Sequence, residues 1–180
     1  MQLVGDAADY LRPGLADAAP DFLSIYGTLF LAGSMAGARA DDRSTVRDFL
    51  AEADQAARRL GRDANHMWTA FGPTNVDIHR VATAAELGNM QVVVDLGPRI
   101  DTSNLPTERR TRHNIEVARA LSAHNRIDDA VAMILEAESW APEQVRSHYL
   151  ERELVLTWIR NHRGRPSQTM AGLADRLHVV

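Results

Sequence analysis

The sequence predicts an all-α chain built as a stack of antiparallel helix pairs. Three observations carry that expectation. Two stretches of the chain align with each other without a gap, the sign of a repeat. Helix-stopping residues (Pro13-Gly14, Gly61, Gly72-Pro73, Gly88, Pro142) divide the chain into helix-length pieces. No Gly-rich or hairpin signal supports a sheet anywhere.

The repeat is carried by Ala82, Val94, Asp101 and Pro106, matched by Ala118, Ala130, Ala137 and Pro142. Each member lies 36 residues before its counterpart, and the steps inside a unit are 12, 7 and 5. Those are the internal steps of the tetratricopeptide pattern, whose usual length is about 34 residues. In that pattern small residues let two helices approach closely, and a proline ends the second. The later unit is the cleaner, with Leu121 and Ile134 in the large apolar slots. The earlier one is degenerate at Val94 and Asp101. Ser34, Val46 and Ala53 keep the 12 and 7 steps and mark a third copy upstream. The expected architecture is a tetratricopeptide-like right-handed stack of about three helix pairs plus a C-terminal capping helix.

The elements follow in order. A first helix over 1–12 ends at Pro13-Gly14; residues 1–20 read as the second helix of an incomplete repeat, and 21–180 as the repeat domain with its cap. Helices over 21–39 and 43–60 make the first pair, closed by Gly61. Helices over 73–87 and 89–97 make the second, with Gly72 as a cap and Pro73 in the first helical position. "VVV" at 92–94 reads locally as strand, but the repeat frame places it in a packed helix. The third pair spans 105–124 and 127–140. A long helix, 142–162, carries Val145, Tyr149, Val155 or Leu156, and Ile159 on one stripe. "HRGRP" breaks it, and 167–178 make a short terminal helix.

Composition narrows the function classes. Hydrophobic residues make up 45% of the 180 and charged residues 24%, values of a folded chain rather than a disordered one. The absence of cysteine removes disulfides, thiolate nucleophiles and Cys-based zinc sites. A net charge of −4 argues against a chain built to grip phosphate backbones, so no direct nucleic-acid binding is expected. All 20 basic residues are Arg. Codon bias and a preference for carboxylate partners both account for that. The charge-free run at 22–38 is shorter than the roughly 20 apolar residues of a membrane span. It holds Ser24, Tyr26, Thr28 and Ser34, so a helix buried on most sides is expected there. Asp6 and Asp9, without a basic segment, do not make a signal peptide. The chain reads as cytoplasmic, with no membrane contact.

An open stack would expose Leu3, Val4, Ala7 and Leu11 of the first helix. The chain is therefore expected to be a fragment of something longer or to cover that face as a homodimer.

Two stretches, "LAEADQAARRLGRDANHMWTAFGPTNVDIHRVATAAELG" and "LPTERRTRHNIEVARALSAHNRIDDAVAMILEAESWAPEQVRSH", resemble the C-terminal half of actinobacterial regulators of the Cro/C1 helix-turn-helix (XRE) type. The likeness covers about residues 20 to 178, and its most specific words are "TAFGPTNV" and the "LP…RR…R" approach to the third pair. It implies the sensing or protein-binding half of a regulator. No helix-turn-helix head precedes these residues, so DNA binding is not carried over.

In such a stack the first helix of each pair lines the concave groove. The third pair would then aim Arg112, Ile115, Arg119 and Ser122 inward; the second, Asn75, His79, Thr83 and Glu86; the first, Thr28, Leu31 and Met35. An Asn amide both donates to and accepts from a peptide backbone, and Arg takes a carboxylate bidentately. Groove asparagines play that backbone-reading part in the peptide-sensing regulators this arrangement resembles. Trp68 sits in the longest loop, where it is a further contact candidate; Trp140 and Trp158 read as packing anchors. The ligand expected is a peptide, a small acidic molecule or a protein.

Catalytic and metal readings are thin. His113/Glu116 and His148/Glu151 have an i, i+3 spacing used in helical carboxylate metal sites, but nothing completes a ligand set and there is no HExxH. No nucleophile elbow accompanies a Ser-His-Asp set. No cofactor, metal or catalytic residue is expected. The alternatives are a structural adaptor for one protein partner and an enzyme that has recruited the fold.

Overall fold

The computed structural model describes residues 2–147, 149–161 and 166–179. Every regular element among them is helical: α1 Gln2–Leu11, α2 Pro20–Arg39, α3 Arg43–Leu60, α4 Pro73–Glu86, α5 Met90–Leu96, α6 Thr107–Ala123, α7 Ile127–Trp140, α8 Pro142–Ser147, α9 Tyr149–Asn161 and α10 Gln168–Arg176, with short 3-10 turns at Arg12–Leu15, His66–Trp68 and Gly97–Arg99. The all-helical expectation holds, and "VVV" lies in α5 with Val93 and Val94 buried. The chain divides into two compact units, Met1–Pro106 and Thr107–Val180. Residues 1–20 fall within the first unit, where Val4, Leu11 and Leu15 pack on the core.

In the first unit α2 and α3 form a hairpin, and α4 packs on both. Polar contacts give the directions. Arg39 at the end of α2 approaches Glu86 at the end of α4 (3.8 Å), so those two helices run side by side. Arg43 at the start of α3 donates to the Leu87 carbonyl just after α4 (3.1 Å), so α3 and α4 run opposed. That is the alternation a tetratricopeptide-like stack requires. The frame predicts small residues where α2 meets α3, and Ser34 and Ala53 are fully buried there. Tyr26, Phe30 and Phe49 form an edge-to-face chain at the same contact, with centroids 4.9 and 5.3 Å apart. The uncharged run in α2 is buried on most sides, as its length implied.

Local chemistry sets the ends. Asp42 caps α3 by accepting from the Thr45 amide (3.0 Å) and from the Ser44 and Thr45 hydroxyls (both 2.7 Å). Those three bonds push its carboxyl down to about 2. Gly61 ends α3 in the left-handed conformation (φ 76°) that residues with a Cβ resist. Helix α5 stops at Leu96 because Gly97-Pro98 follows, so Asp101 does not occupy the small slot of a second helix as the repeat frame required. It lies exposed in a turn, and its carboxylate accepts from the Ser103 amide (2.9 Å).

In the second unit α6 and α7 form the hairpin and α8 packs on α7. Ala118, Ala130, Ala137 and Ile134 are each 0% exposed, as the cleaner repeat unit predicts. The expected single helix over 142–162 contains His148, which lies outside the described residues. Within the parts that are described, Val145 and Val155 are fully buried, and Leu156 is only half-buried. The "HRGRP" break falls largely on 162–165, also outside them.

Candidate functional site

The loop from Gly61 to Gly72 is tied to itself, to α2 and to α4. Its two ends approach so closely that a Cβ on Gly72 would lie 2.6 Å from the Asp63 Cα, which only glycine avoids. Asp63 reaches across to the start of α4 and accepts from the Thr74 amide (3.0 Å) and hydroxyl (2.7 Å), satisfying a donor that the helix end leaves open. Inside the loop, the Ala70 amide donates to Asn65 Oδ1 (2.9 Å), and the Thr69 hydroxyl donates to the His66 carbonyl (2.8 Å). His66 Nδ1 lies 2.8 Å from Asp21 Oδ1 in the first turn of α2. Phe71 is fully buried against α2, where a methyl group on Gly27 would overlap its ring.

The tip is strained. Met67, Trp68 and Ala70 take positive φ (51°, 60° and 50°), a region disfavoured for residues with a Cβ. The same turn leaves Met67 60% and Trp68 90% exposed.

Helix α4 carries the polar residues expected of a groove. Asn75 is 1% exposed, and its Oδ1 has no hydrogen-bond partner within the chain. His79 is half-buried, with Nδ1 2.8 Å from the Asn75 carbonyl. Asn75, His79 and Glu86 fall on one face by their spacing, and Glu86 is the residue that meets Arg39 of α2. This face is therefore the side of α4 that borders α2. Met35 of α2 is half-buried. Thr28 is half-buried too, and its hydroxyl oxygen is buried without a partner.

Several expected contacts are used up inside the fold. Thr83 is 2% exposed, and its hydroxyl donates to the His79 carbonyl (2.7 Å) within its own helix, so it offers a ligand nothing. Leu31 is core at 1% exposure. In the second unit Ile115 is buried at 7%, and Ser122 accepts from the Trp158 indole N–H (2.6 Å). Arg112 and Arg119 do remain exposed on α6. Trp158 is the packing anchor expected. Trp140 is half-buried under the Arg110 guanidinium, 3.8 Å from its ring centroid. The expected groove residues thus fall in two units: Met35, Trp68, Asn75, His79, Thr83 and Glu86 in the first, Arg112, Ile115, Arg119 and Ser122 in the second.

Residue spacing gave no warning of Glu138. It is 7% exposed on α7 and takes Arg146 of α8 (3.1 Å) and Arg176 of α10 (2.8 Å). Bonding to Arg176, then to Arg146, holds its carboxyl below the usual range against the effect of burial. Its partners lie 8 and 38 residues away, beyond the reach of helical spacing. The Asp63–Thr74 and Asp21–His66 contacts are likewise formed by chain reversal. Among the described residues no group of three or more His, Asp or Glu could hold a metal ion, and no helix is long and apolar enough to cross a membrane. His148 and the Glu151 side chain lie outside that description.

Comparison of the chain with protein-family models, with curated proteins and with solved structures returned no match.

Proposed function

We propose that this chain is a tetratricopeptide-like binding module, the sensing half of a transcriptional regulator of the Cro/C1 helix-turn-helix type, and that the α2–α4 side of its first unit receives a peptide. The observation that carries the reading is Asn75, almost completely buried yet with an acceptor oxygen unpaired inside the chain. A buried amide oxygen left unpaired costs about 1–3 kcal/mol, and a ligand N–H would recover that. The parallel course of α2 and α4 supports the same reading. It sets two first helices of successive pairs side by side, the arrangement that lines a groove.

Addition of peptide pools in a thermal-shift assay tests it. A ligand that binds only the native state raises the melting temperature. The expected result is a rise that disappears in Asn75→Ala; pools that leave both proteins unmoved would refute it.

A second reading, an adaptor for one protein partner or for a second copy of the chain, draws on α1. Leu3 (83%) and Tyr10 (86%) lie seven residues apart on one helical face and are exposed. Co-purification of a partner that Leu3→Ser and Tyr10→Ser release, with no response to peptides, would favour the adaptor.

A further inference from the structure

Helix α2 keeps an uncovered apolar stripe. Ile25 (44%), Ala32 and Ala36 are exposed, and Leu29 is half-buried. Their spacing (i, i+4, i+7, i+11) sets all four within an arc of about 60° on one side of the helix. Helix α1 runs beside this stripe in the opposite direction. A Cβ on Gly33 would lie 3.0 Å from Val4 Cγ1 at the start of α1, and one on Gly14, just past its end, 3.0 Å from the Phe22 ring. The flank of α1 turned toward α3 carries Asp9 and Arg12, whose charges both act on the Tyr26 hydroxyl that donates to Glu52 (3.4 Å). Leu3 (83%) and Tyr10 (86%) lie about 140° round the helix from that pair, and so look outward on the side of the α2 stripe.

The face has an internal symmetry. Ile25 and Ala36, like Leu29 and Ala32, are equidistant from a point between Phe30 and Leu31. Leu3 and Tyr10 are equidistant from a point between Asp6 and Ala7. Val4 lies two and a half positions before its point and Gly33 two and a half positions after its own, so their contact in antiparallel helices sets both points at one height. One two-fold axis through them pairs Ile25 with the partner's Ala36, Leu29 with the partner's Ala32, and Leu3 with the partner's Tyr10. Each layer along α2 then sets a large side chain on a small one, which lets two helices approach closely. The ends match in charge. Asp21 and Arg39 lie on one flank of the stripe, about 27 Å apart at 1.5 Å per residue. Their side chains are 61% and 66% exposed. The same axis brings Asp21 within one position of the partner's Arg39, and Arg39 within one position of the partner's Asp21.

We infer that this face joins two copies of the chain, with α2 antiparallel on the partner's α2 and α1 on the partner's α1. The inference does not depend on the peptide reading, because Thr28 and Met35 of the α2–α4 border lie on the flank of α2 away from α1. A face about 27 Å long and two helices (about 20 Å) wide has a footprint on the order of 500 Å² per copy, which belongs with the smaller specific interfaces.

Sedimentation velocity on the whole chain, from about 5 to about 300 µM, tests this, the upper end being chosen for an interface of that size. The expected result is a reversible dimer that Ala32→Arg weakens about tenfold or more, the scale of an unpaired charge set inside a contact. Ala32 is exposed in the single chain, so circular dichroism of the variant should match the parent; Ala36→Arg, also at an exposed position, is the second variant. The chain has no cysteine, so disulfides can report the register. Ile25→Cys mixed with Ala36→Cys should cross-link under mild oxidation. Either variant alone should not, since its two cysteines would stand about 16 Å apart along the helices. A chain that stays monomeric throughout overturns the inference and leaves the face to another protein. A dimer that survives both arginine variants, or that cross-links as readily in each single variant as in the mixture, also overturns it. Peptide titration is read separately, so none of these results removes the peptide reading.

Discussion

Arg176 grips Glu138 from the last helix of the chain: its Nε lies 3.0 Å from each carboxylate oxygen and its Nη2 2.8 Å from Oε2. Glu138 is buried and Arg146 shares it, so α8 and α10 are both tied to α7 through one acid. Removing the acid leaves two arginines without their partner. Glu138→Ala is expected to cost about 1–3 kcal/mol, the lower part of that range reflecting the partial exposure of both arginines. Urea denaturation followed by helix content measures the loss. Glu138→Gln should lose less, because it keeps the volume and one acceptor. A wild-type midpoint in Glu138→Ala would show that the pair contributes nothing.

Asp42 gives the first unit an acid-sensitive helix start. Its folded carboxyl is pushed down to about 2, chiefly by the Thr45 hydroxyl and amide. A depressed value means the ionised form is favoured by folding, so the stabilisation is complete above the ordinary aspartate value of about 3.9. It declines as pH falls from there to about 2, where the folded group takes up its proton. Asp42→Ala should lower the melting temperature at pH 7. The difference between variant and parent should shrink across the window from about 4 to about 2. A difference that stays constant through that window would contradict the assignment.

Gly27 is the seat of Phe71. A methyl group there overlaps the ring, and the ring is fully buried. Gly27→Ala gains helix propensity, yet overpacking of this kind costs about 1–3 kcal/mol and is expected to win. The same substitution should raise amide exchange through the 61–72 loop, since Phe71 anchors it. Unchanged stability together with unchanged exchange would refute the tight seat.

Asp63 acts as a remote cap on α4. Asp63→Ala removes the bonds to the Thr74 amide and hydroxyl, and a loss of about 1–2 kcal/mol follows from the typical value of a cap. Faster exchange of the Thr74 and Asn75 amides, read by NMR, is the local signature. Protection equal to wild type at those amides would rule the cap out.

The order of helices was legible because its determinants are local. Asp42 caps the residue three positions on, Gly61 and Gly97-Pro98 stop the helices before them, and Pro73 opens α4. The 12- and 7-residue steps located the close contacts at Ser34, Ala53, Ala118, Ala130 and Ala137, since helix–helix approach is set by side-chain size. Spacing assigned Asn75, Thr83, Leu31 and Ile115 to an open face that the fold buries. A periodic pattern tells which residues share a side of a helix, not how far the neighbouring helix reaches across that side.

What the sequence by itself determined is the all-helical character, the pairing of successive helices and the positions of their ends, because each follows from contacts only a few residues apart. The tertiary structure alone decided which acid meets which arginine, that His66 turns onto Asp21, and that the side-chain oxygens of Ser24, Thr28 and Asn75 are buried without a partner inside the chain. Those relations join residues separated by up to 45 positions. Only the folding back of the chain brings such residues together, and no local propensity encodes it.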